Sequence, residues 1–377
     1  MDVRLLGRGG LSGVEEYTTE VFNHLIKADA ENSYTLFYNG LRKKPLPGEW
    51  LQKKNVSVID SRMPNRLMDL SVRTFSFPKI DRFIKTDLIF SPHFNILKSF
   101  RAPRIMTFHD LSFIHHPYFF SFRQKFWNWL QDYKKQAKAA AKIIADSEFT
   151  KSDLINELEI SEEKIAVIYP GINPLFKKLD HNNPALNEFK KKYSLNFPYL
   201  LYLGTLEPRK NIPAVIRAFS WLKDNPHFKD LRLVIAGRPG WLYKDILKEA
   251  AASKSKNHII FWGPVESAHR VFLYNLAWVF VYPSFFEGFG FPPLEAQACG
   301  SPTIVADRTS LPEVVENSAL LVNPWKIEEL KNALEEILTN ETTKTRLIKA
   351  GFGNVRRFTW EQTANQILKI FNSAYGK

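Results

Sequence analysis

Short, continuous runs of apolar and β-branched residues alternate with segments of helical period along almost the whole chain. That alternation narrows the fold more than any other feature. In the first half the runs are VRLL (3–6), YTLFY (34–38), VSVI (56–59), DLIFS (87–91), RIMTF (104–108), KIIADS (142–147) and KIAVIYP (164–170). Helical segments are expected between them at Val14–Lys27, Arg123–Lys142 and Glu148–Glu157. The pattern restarts with YLLYLG (199–204), LRLVIAG (231–237), IIFWG (259–263), WVFVYPS (278–284), SPTIVAD (301–307) and ALLVN (319–323). These alternate with helices near Asn211–Asp224, Trp241–Ser253, Ala268–Ala277, Pro292–Cys299 and Lys326–Leu338, and a last helix covers Trp360–Tyr375. Strands that are apolar throughout, rather than at every second residue, belong to sheets covered on both faces. Strand–helix alternation implies right-handed parallel crossovers. The expected fold is therefore α/β, with two doubly wound, Rossmann-like domains facing a cleft. Residues 1–180 and 194–355 form the domains. The polar, Pro- and Asn-rich stretch Gly171–Tyr193 lies at the boundary, and 356–377 is a terminal helix.

A length of 377 residues suits two or three domains, and 45% hydrophobic against 24% charged residues is an ordinary globular balance. One cysteine, Cys299, excludes an internal disulfide framework and any multi-thiolate metal site. It lies in an apolar helical segment and reads as core. The start, MDVRLLGRGG, lacks the apolar core of a secretory signal. The stretch Val271–Phe286 is too short to span a bilayer and is interrupted by Pro283. The expected location is the cytoplasm. The first strand is short for a doubly wound domain, which suggests a few residues ahead of Met1. The net charge of +13 calls for an anionic partner: nucleic acid, an anionic membrane surface or a phosphorylated substrate. Residues 1–192 carry 30 Lys and Arg against 22 Asp and Glu, and the remainder 22 against 17. The excess is thus spread over both halves, which argues against nucleic acid.

Three segments carry chemistry. GRGGLSG (Gly7–Gly13, including Gly10) links the first strand to the first helix, where glycines admit a ligand to the backbone and helix N–H groups attract anions. A flexible turn is the alternative. It is not the G-x-G-x-x-G dinucleotide fingerprint, which disfavours a nicotinamide-dependent dehydrogenase. In LGTLEPRKN a strand ends in Gly204-Thr205, and Arg209 and Lys210 precede a helix. Two adjacent cations at a helix start are unfavourable unless an anion joins them, so they mark an anion site. In FFEGFGFPPLEAQACG, Glu287 follows a strand and Glu295 falls in the first turns of a helix opened by Pro292 and Pro293. Two carboxylates accept hydrogen bonds from sugar or ribose diols, and the amides of Gly288, Phe289 and Gly290 face the same space. His109 follows a strand, and its residue context serves a structural or a catalytic histidine equally. His115 and His116 lack the further ligands of a metal site. Asp110 suits a local turn cap.

The spacing from Glu287 to Glu295 resembles the E-x7-E motif of retaining nucleotide-sugar glycosyltransferases with two Rossmann-like domains, the GT-B architecture of the large group 1 family. GGLSGVEEY, FHDLSF, ADSEFTKSDL, YPGINPLF, YLGTLEPRKN and TSLPEVVENSALLVNP resemble further family segments in the expected order. TLEPRKNI and EGFGFPPLEA look most like bacterial mannosyltransferases of polysaccharide or O-antigen assembly. The resemblance implies that Glu287 holds donor-sugar hydroxyls and Glu295 the ribose diol. It implies that Arg209 and Lys210 bind the diphosphate, aided by amides near Gly10, Gly13, Gly204 and Thr205. Arg238 and Val265 would lie near the base, and His109 near the reacting sugar. The last helix would return to the first domain.

The implied reaction moves a hexose, mannose from GDP-mannose first, to a glycan or lipid-linked acceptor hydroxyl. UDP-linked glucose or N-acetylglucosamine is the alternative donor, and another enzyme of the same architecture, such as a sugar-nucleotide epimerase, the alternative activity. No cofactor is expected. Without an Asp-x-Asp motif, Arg209 and Lys210 are expected to serve in place of a metal. With no carboxylate nucleophile evident near His109, front-face attack with the phosphate as base fits better than double displacement. Arg62–Arg104 interleaves nine basic and three acidic residues with phenylalanines, and Tyr118–Lys142 adds Phe119, Phe120, Phe122, Phe126, Trp127 and Trp129. Core aromatics under a solvated basic face explain this pattern. So does peripheral contact with the inner face of an anionic membrane.

Overall fold

In the computed structural model, which describes residues 1–8, 12–41 and 44–375, the chain divides into two units. One is Met1–Gly171 together with the segment from Phe358, and the other is Ile172–Arg357. Residues 172–180, expected with the first half, belong to the second. Gly10 of the glycine loop lies outside the described residues.

The first unit holds strands β1 (Tyr34–Asn39), β2 (Val56–Ser61), β3 (Ile89–Ser91), β4 (Arg104–Phe108), β5 (Lys142–Ala145) and β6 (Ile165–Val167). β1 and β2 pair in parallel, and a parallel sheet runs β3-β4-β5-β6. Met1–Val3 joins the two: Asp2 N–H donates to Phe90 O, and Val3 N–H donates to Phe37 O. The run VRLL was expected as a strand, but Arg4–Arg8 is a 3-10 helix. The reason is electrostatic. Arg4 turns inward, and its guanidinium binds Asp2 at 2.7 Å, Asp69 at 3.4 Å and Ile96 O at 3.0 Å. That buried network bends the chain away from an extended course. The helix expected over Arg123–Lys142 is two, Phe122–Leu130 and Tyr133–Ala139, broken at Asp132 with φ 50°. The helix Asn65–Phe75 was not expected from the sequence; it buries Met68, Asp69 and Val72. The last helix, Trp360–Tyr375, packs on the helix Gly13–Ala28, with Trp360 edge-on to Tyr17 at 5.8 Å.

The second unit has β7 (Tyr199–Leu203), β8 (Arg232–Ala236), β9 (Ile259–Gly263), β10 (Val279–Tyr282), β11 (Thr303–Ala306) and β12 (Leu320–Val322). They form one six-stranded sheet, ordered β12-β11-β10-β7-β8-β9, with every pairing parallel. β7 through β9 step one way and β10 through β12 the other, so the direction of winding reverses between β7 and β10. In a doubly wound sheet that reversal, at the carboxyl ends of the strands, is where a ligand binds. Leu200, Leu201, Val279, Phe280, Val281, Ile304 and Val305 are buried, as sheet residues covered on both faces must be. The turns after β7 and β8 interlock. Gly237 has φ +142°, and a Cβ there would stand 1.8 Å from Gly204 O.

Candidate functional site

The strongest constellation sits at the reversal point of the second unit. After β7 the chain turns through the 3-10 segment Pro208–Lys210. After β10 it runs into the loop that carries Glu287. Lys210 Nζ donates to Glu287 Oε1 at 2.5 Å and to the Tyr282 hydroxyl at 2.7 Å. Arg209 Nη1 donates to Glu287 Oε2 at 3.2 Å and to Phe286 O at 2.6 Å. Its Nε and Nη2 reach Glu207 at 3.1 and 2.9 Å. Glu207, Lys210 and Glu287 are buried. The sequence required an anion beside the two cations, and the chain supplies two, Glu207 and Glu287. The four side chains carry no net formal charge.

Burial alone would push the Glu287 carboxyl up. Arg209 and Lys210 outweigh it and hold the group at about 2. Lys210 is lowered by burial and by the adjacent guanidinium, against the pull of Glu287 and Glu207. Glu207 holds Arg209 from one side, and Glu287 bridges Arg209 and Lys210. The loop is fixed from behind: Glu287 N–H donates to Thr309 Oγ1 at 3.1 Å, and Ser310 Oγ donates to Glu287 O and Phe289 O, each at 2.9 Å. Gly290, with φ +109°, then opens the helix Phe291–Ala298.

Glu295 is not in this cluster. It is buried, and its carboxylate accepts from Arg270 Nη1 at 2.9 Å and from the Tyr274 hydroxyl at 2.8 Å. Both partners lie on the helix Ser267–Leu276, four residues apart and so on one face. Gly204 and Thr205 follow β7, Arg238 is exposed in the turn after β8, and Val265 is half-buried after β9. All therefore lie at the same carboxyl edge as Arg209, Lys210 and Glu287.

His109 belongs to the first unit, just after β4. Its Nδ1 lies 2.5 Å from Asp146 Oδ2, and its Nε2 lies 2.8 Å from Pro92 O. Burial pushes the Asp146 carboxyl up against the pull of His109. With Asp146 ionised both partners are acceptors and both ring nitrogens donate, as in an imidazolium. Burial opposes that charge. Asp146 and then Pro92 O outweigh burial, and His109 titrates above its ordinary range. In that state the ring has no lone pair and presents a positive charge rather than a base. Tyr17 meets the ring edge-on at 4.8 Å. Gly13 opens the helix whose start is closed by a Ser12–Glu15 capping box.

Five partners were missed from sequence: Glu207, Tyr282, Arg270, Tyr274 and Asp146. Glu207 stands two residues from Arg209, and Arg270 and Tyr274 repeat at helical spacing, so those signals were present. Asp146 and Tyr282 read as strand-end residues, and only the sheet brings them to His109 and Lys210.

Two α/β units of parallel strands, the second with a buried cation–carboxylate cluster at its strand-order reversal, define a two-domain architecture of Rossmann-like halves. Residues 186–353 match the Glycosyl transferases group 1 family, and residues 11–175 match Glycosyltransferase Family 4. The chain belongs to this glycosyltransferase family. It is 30% identical over 252 residues to the serotype-specific mannosyltransferase WbdA of Escherichia coli, covering 67% of this chain and 30% of that protein. The chain thus spans less than a third of that relative. O-antigen chain mannosyltransferase B of E. coli is 27% identical, covering 71% of this chain and 69% of that one. Among solved structures, sucrose-phosphate synthase from Thermosynechococcus elongatus superposes with a TM-score of 0.76 at 19% identity, over 97% of this chain and 94% of that one. HepE of Anabaena, solved with UDP and glucose, gives 0.72 at 18% identity, over 97% of each chain. At these identities the likeness establishes the GT-B fold.

Proposed function

We propose that the chain is a retaining hexosyltransferase that moves mannose from GDP-mannose to a hydroxyl of a glycan or lipid-linked acceptor. The observation that carries this reading is the buried Arg209–Lys210–Glu287 cluster at the carboxyl ends of β7 and β10. The names of the curated relatives favour mannose. Arg209 and Lys210 receive the donor's diphosphate, and Glu287 keeps both cations aimed. As the bond from the anomeric carbon to the β-phosphate oxygen breaks, negative charge grows on that oxygen. Preorganised cations there act without reorganising, usually the largest catalytic contribution. Their charge does the work a metal would otherwise do, so the reaction we propose uses no metal. The acceptor oxygen bonds to the anomeric carbon on the face the phosphate leaves, and its proton passes to the departing phosphate oxygen. Configuration is thereby retained. Asp146 is buried against His109, which leaves it no role as a nucleophile. Glu295, with Arg270 and Tyr274, holds the ribose end, and Arg238 and Val265 border the base.

The test is a panel of GDP-mannose, UDP-glucose and UDP-N-acetylglucosamine, read by thermal shift, donor hydrolysis and transfer to a mannose-terminated acceptor. Stabilisation and turnover with GDP-mannose alone are expected. Turnover confined to UDP donors sinks the donor assignment, and an inverted product anomer sinks the stereochemical one.

A further inference from the structure

The first unit exposes a set of large apolar side chains that its own fold leaves uncovered. Phe75 is 80% exposed, Phe122 83%, Phe83 63% and Trp129 56%. Among the described residues, all six phenylalanines that are half or more exposed fall between positions 75 and 126. The aromatic-rich stretch therefore divides. Phe119 is core, and Trp127 packs on Phe94 at 5.8 Å, while Phe122, Phe126 and Trp129 face outward. On the helix Asn65–Phe75, Met68 and Val72 face inward, whereas Leu67, Leu70 and Phe75 face out.

These side chains form one continuous surface. Arg73 lies over the Trp129 ring at 4.2 Å and so ties the helix Asn65–Phe75 to the helix Phe122–Leu130. Ser71 Oγ donates to Phe77 O, and the Phe77 ring meets Phe83 at 6.0 Å. Arg82, beside Phe83, lies over Phe100 at 4.4 Å, where Lys79 and Arg101 also gather. The charge around the surface is predominantly basic, with Asp87 exposed and Asp132 paired with Arg73 at 3.4 Å as the acids among it. Arg66, Arg82, Lys85, Arg101, Arg123 and Lys125 are exposed. Two of the three acids between positions 62 and 104 are used internally. Asp69 is buried against Arg4 and Gln131, and Asp81 accepts from the amides of Phe100, Arg101 and Ala102.

We propose that this surface docks the protein on an anionic lipid bilayer, with the rings of Phe75, Phe83, Phe122 and Trp129 at the headgroup–acyl boundary and the cations against lipid phosphates. A contiguous apolar patch of this kind marks an interaction site. Aromatic rings with basic neighbours suit an interface that is apolar on one side and anionic on the other. Aliphatic Leu67 and Leu70 have no stacking to offer a nucleic acid base. A second copy of the chain meeting this face symmetrically would bring cations against cations. An anionic bilayer satisfies both halves of the surface at once. The inference is independent of the donor assignment.

Cys299 is the only cysteine and is buried, so Phe122→Cys takes an environment-sensitive fluorophore selectively. Lys248→Cys, on an exposed side chain of the second unit, is the control. The full chain is mixed with phosphatidylcholine vesicles with and without about 30% phosphatidylglycerol. The label at 122 is expected to shift to the blue only with the anionic vesicles, and the label at 248 not to shift. Cosedimentation is expected to fall at least about tenfold between about 0.05 M and 0.5 M salt. It is expected to fall about as far in Phe75→Ser/Phe122→Ser and in Arg66→Glu/Arg82→Glu. Donor hydrolysis in free solution should be unchanged in both double variants. Absent or composition-independent vesicle binding overturns the proposal, as does an equal response at 248. So does a blue shift without vesicles accompanied by a doubled mass, which assigns the face to a second copy. Displacement from vesicles by a single-stranded oligonucleotide with no change in the 122 spectrum does the same.

Discussion

Lys210→Met is the sharpest test of the site. Methionine keeps an unbranched stem of similar volume and removes only the charge and its hydrogen bonds. Holding Glu287 at about 2, against its ordinary 4.5, corresponds to about 3 kcal/mol in favour of the charged form. The charge of Arg209 is the largest single favourable cause, and Lys210 acts both through its charge and through the 2.5 Å hydrogen bond. Losing Lys210 should therefore cost about 2 kcal/mol of stability at pH 7. The sign with pH follows. A carboxyl depressed in the folded state adds stability above its ordinary value of 4.5 and loses it as the pH falls through about 2. In Lys210→Met the Glu287 carboxyl rises towards its ordinary value, so the stability that the parent loses as the pH falls from about 4.5 towards 2 is already absent at pH 7, and the acid limb of the variant should be shallower than the parent's. Turnover should fall about a hundredfold, since a preorganised cation on the leaving phosphate is worth roughly 3 kcal/mol. Denaturant unfolding from pH 3 to 7 and steady-state turnover with the active donor measure both. A stability loss below about 0.5 kcal/mol with an unmoved acid limb refutes the coupling argued here. Turnover reduced less than about tenfold refutes the phosphate role.

Glu207→Gln removes the charge that holds Arg209 from behind. Turnover should fall about tenfold while the KM for donor changes less, because the guanidinium remains but is no longer fixed, and an effect confined to KM would contradict this. Glu295→Gln should weaken binding of the free nucleotide in calorimetry by about tenfold and leave the Lys210–Glu287 pair intact; unaltered affinity removes Glu295 from the ribose end. Asp146→Asn should lower the titration of His109, followed by its ring-carbon NMR signal. With His109 raised in the parent, its charged form adds stability below its ordinary value of about 6.5, lost as pH rises through the folded value. The variant should lose that dependence, and an unchanged titration would show that Asp146 does not set the charge. Gly237→Ala places a Cβ where Gly204 O stands 1.8 Å away at φ +142°; it should cost about 3 kcal/mol or more in unfolding experiments.

Much of the fold was legible because its determinants are local. A run such as Thr303–Ala306 is apolar throughout, and Gly, Pro and polar residues punctuate its ends. Most strand and helix positions in the second unit therefore followed from periodicity to within two residues. At VRLL a distant partner overrode local preference, whereas at Pro184–Lys192, opened by an Asn183 cap, and at Glu341–Asn354, opened by an Asn340 cap, a local signal was missed. VRLL has strand composition, yet Arg4 is drawn inward by Asp2, Asp69 and Ile96 O. The helix over Arg123–Lys142 broke at Asp132, and Pro184–Lys192, read as linker, is helical.

The site divides in the same way. Arg209, Lys210, Glu287 and Glu295 stood out because short motifs at a strand end or a helix start carry their own chemistry, and resemblance over nearly the whole chain placed them in a family. Sequence alone could not show that Glu207 and Glu287 supply the anion those cations require, since Glu287 lies 77 residues beyond Lys210. It could not show that Asp146 and Pro92 O hold both nitrogens of His109, nor which aromatics of the first unit are core and which face out. The sequence by itself determined two parallel α/β halves, their winding and the residue types gathered at the carboxyl edges of the strands, because hydrophobic period and turn chemistry act over a few residues. Partnership, protonation and exposure were decided only by the tertiary structure, because charge, hydrogen bonding and burial depend on distance through space.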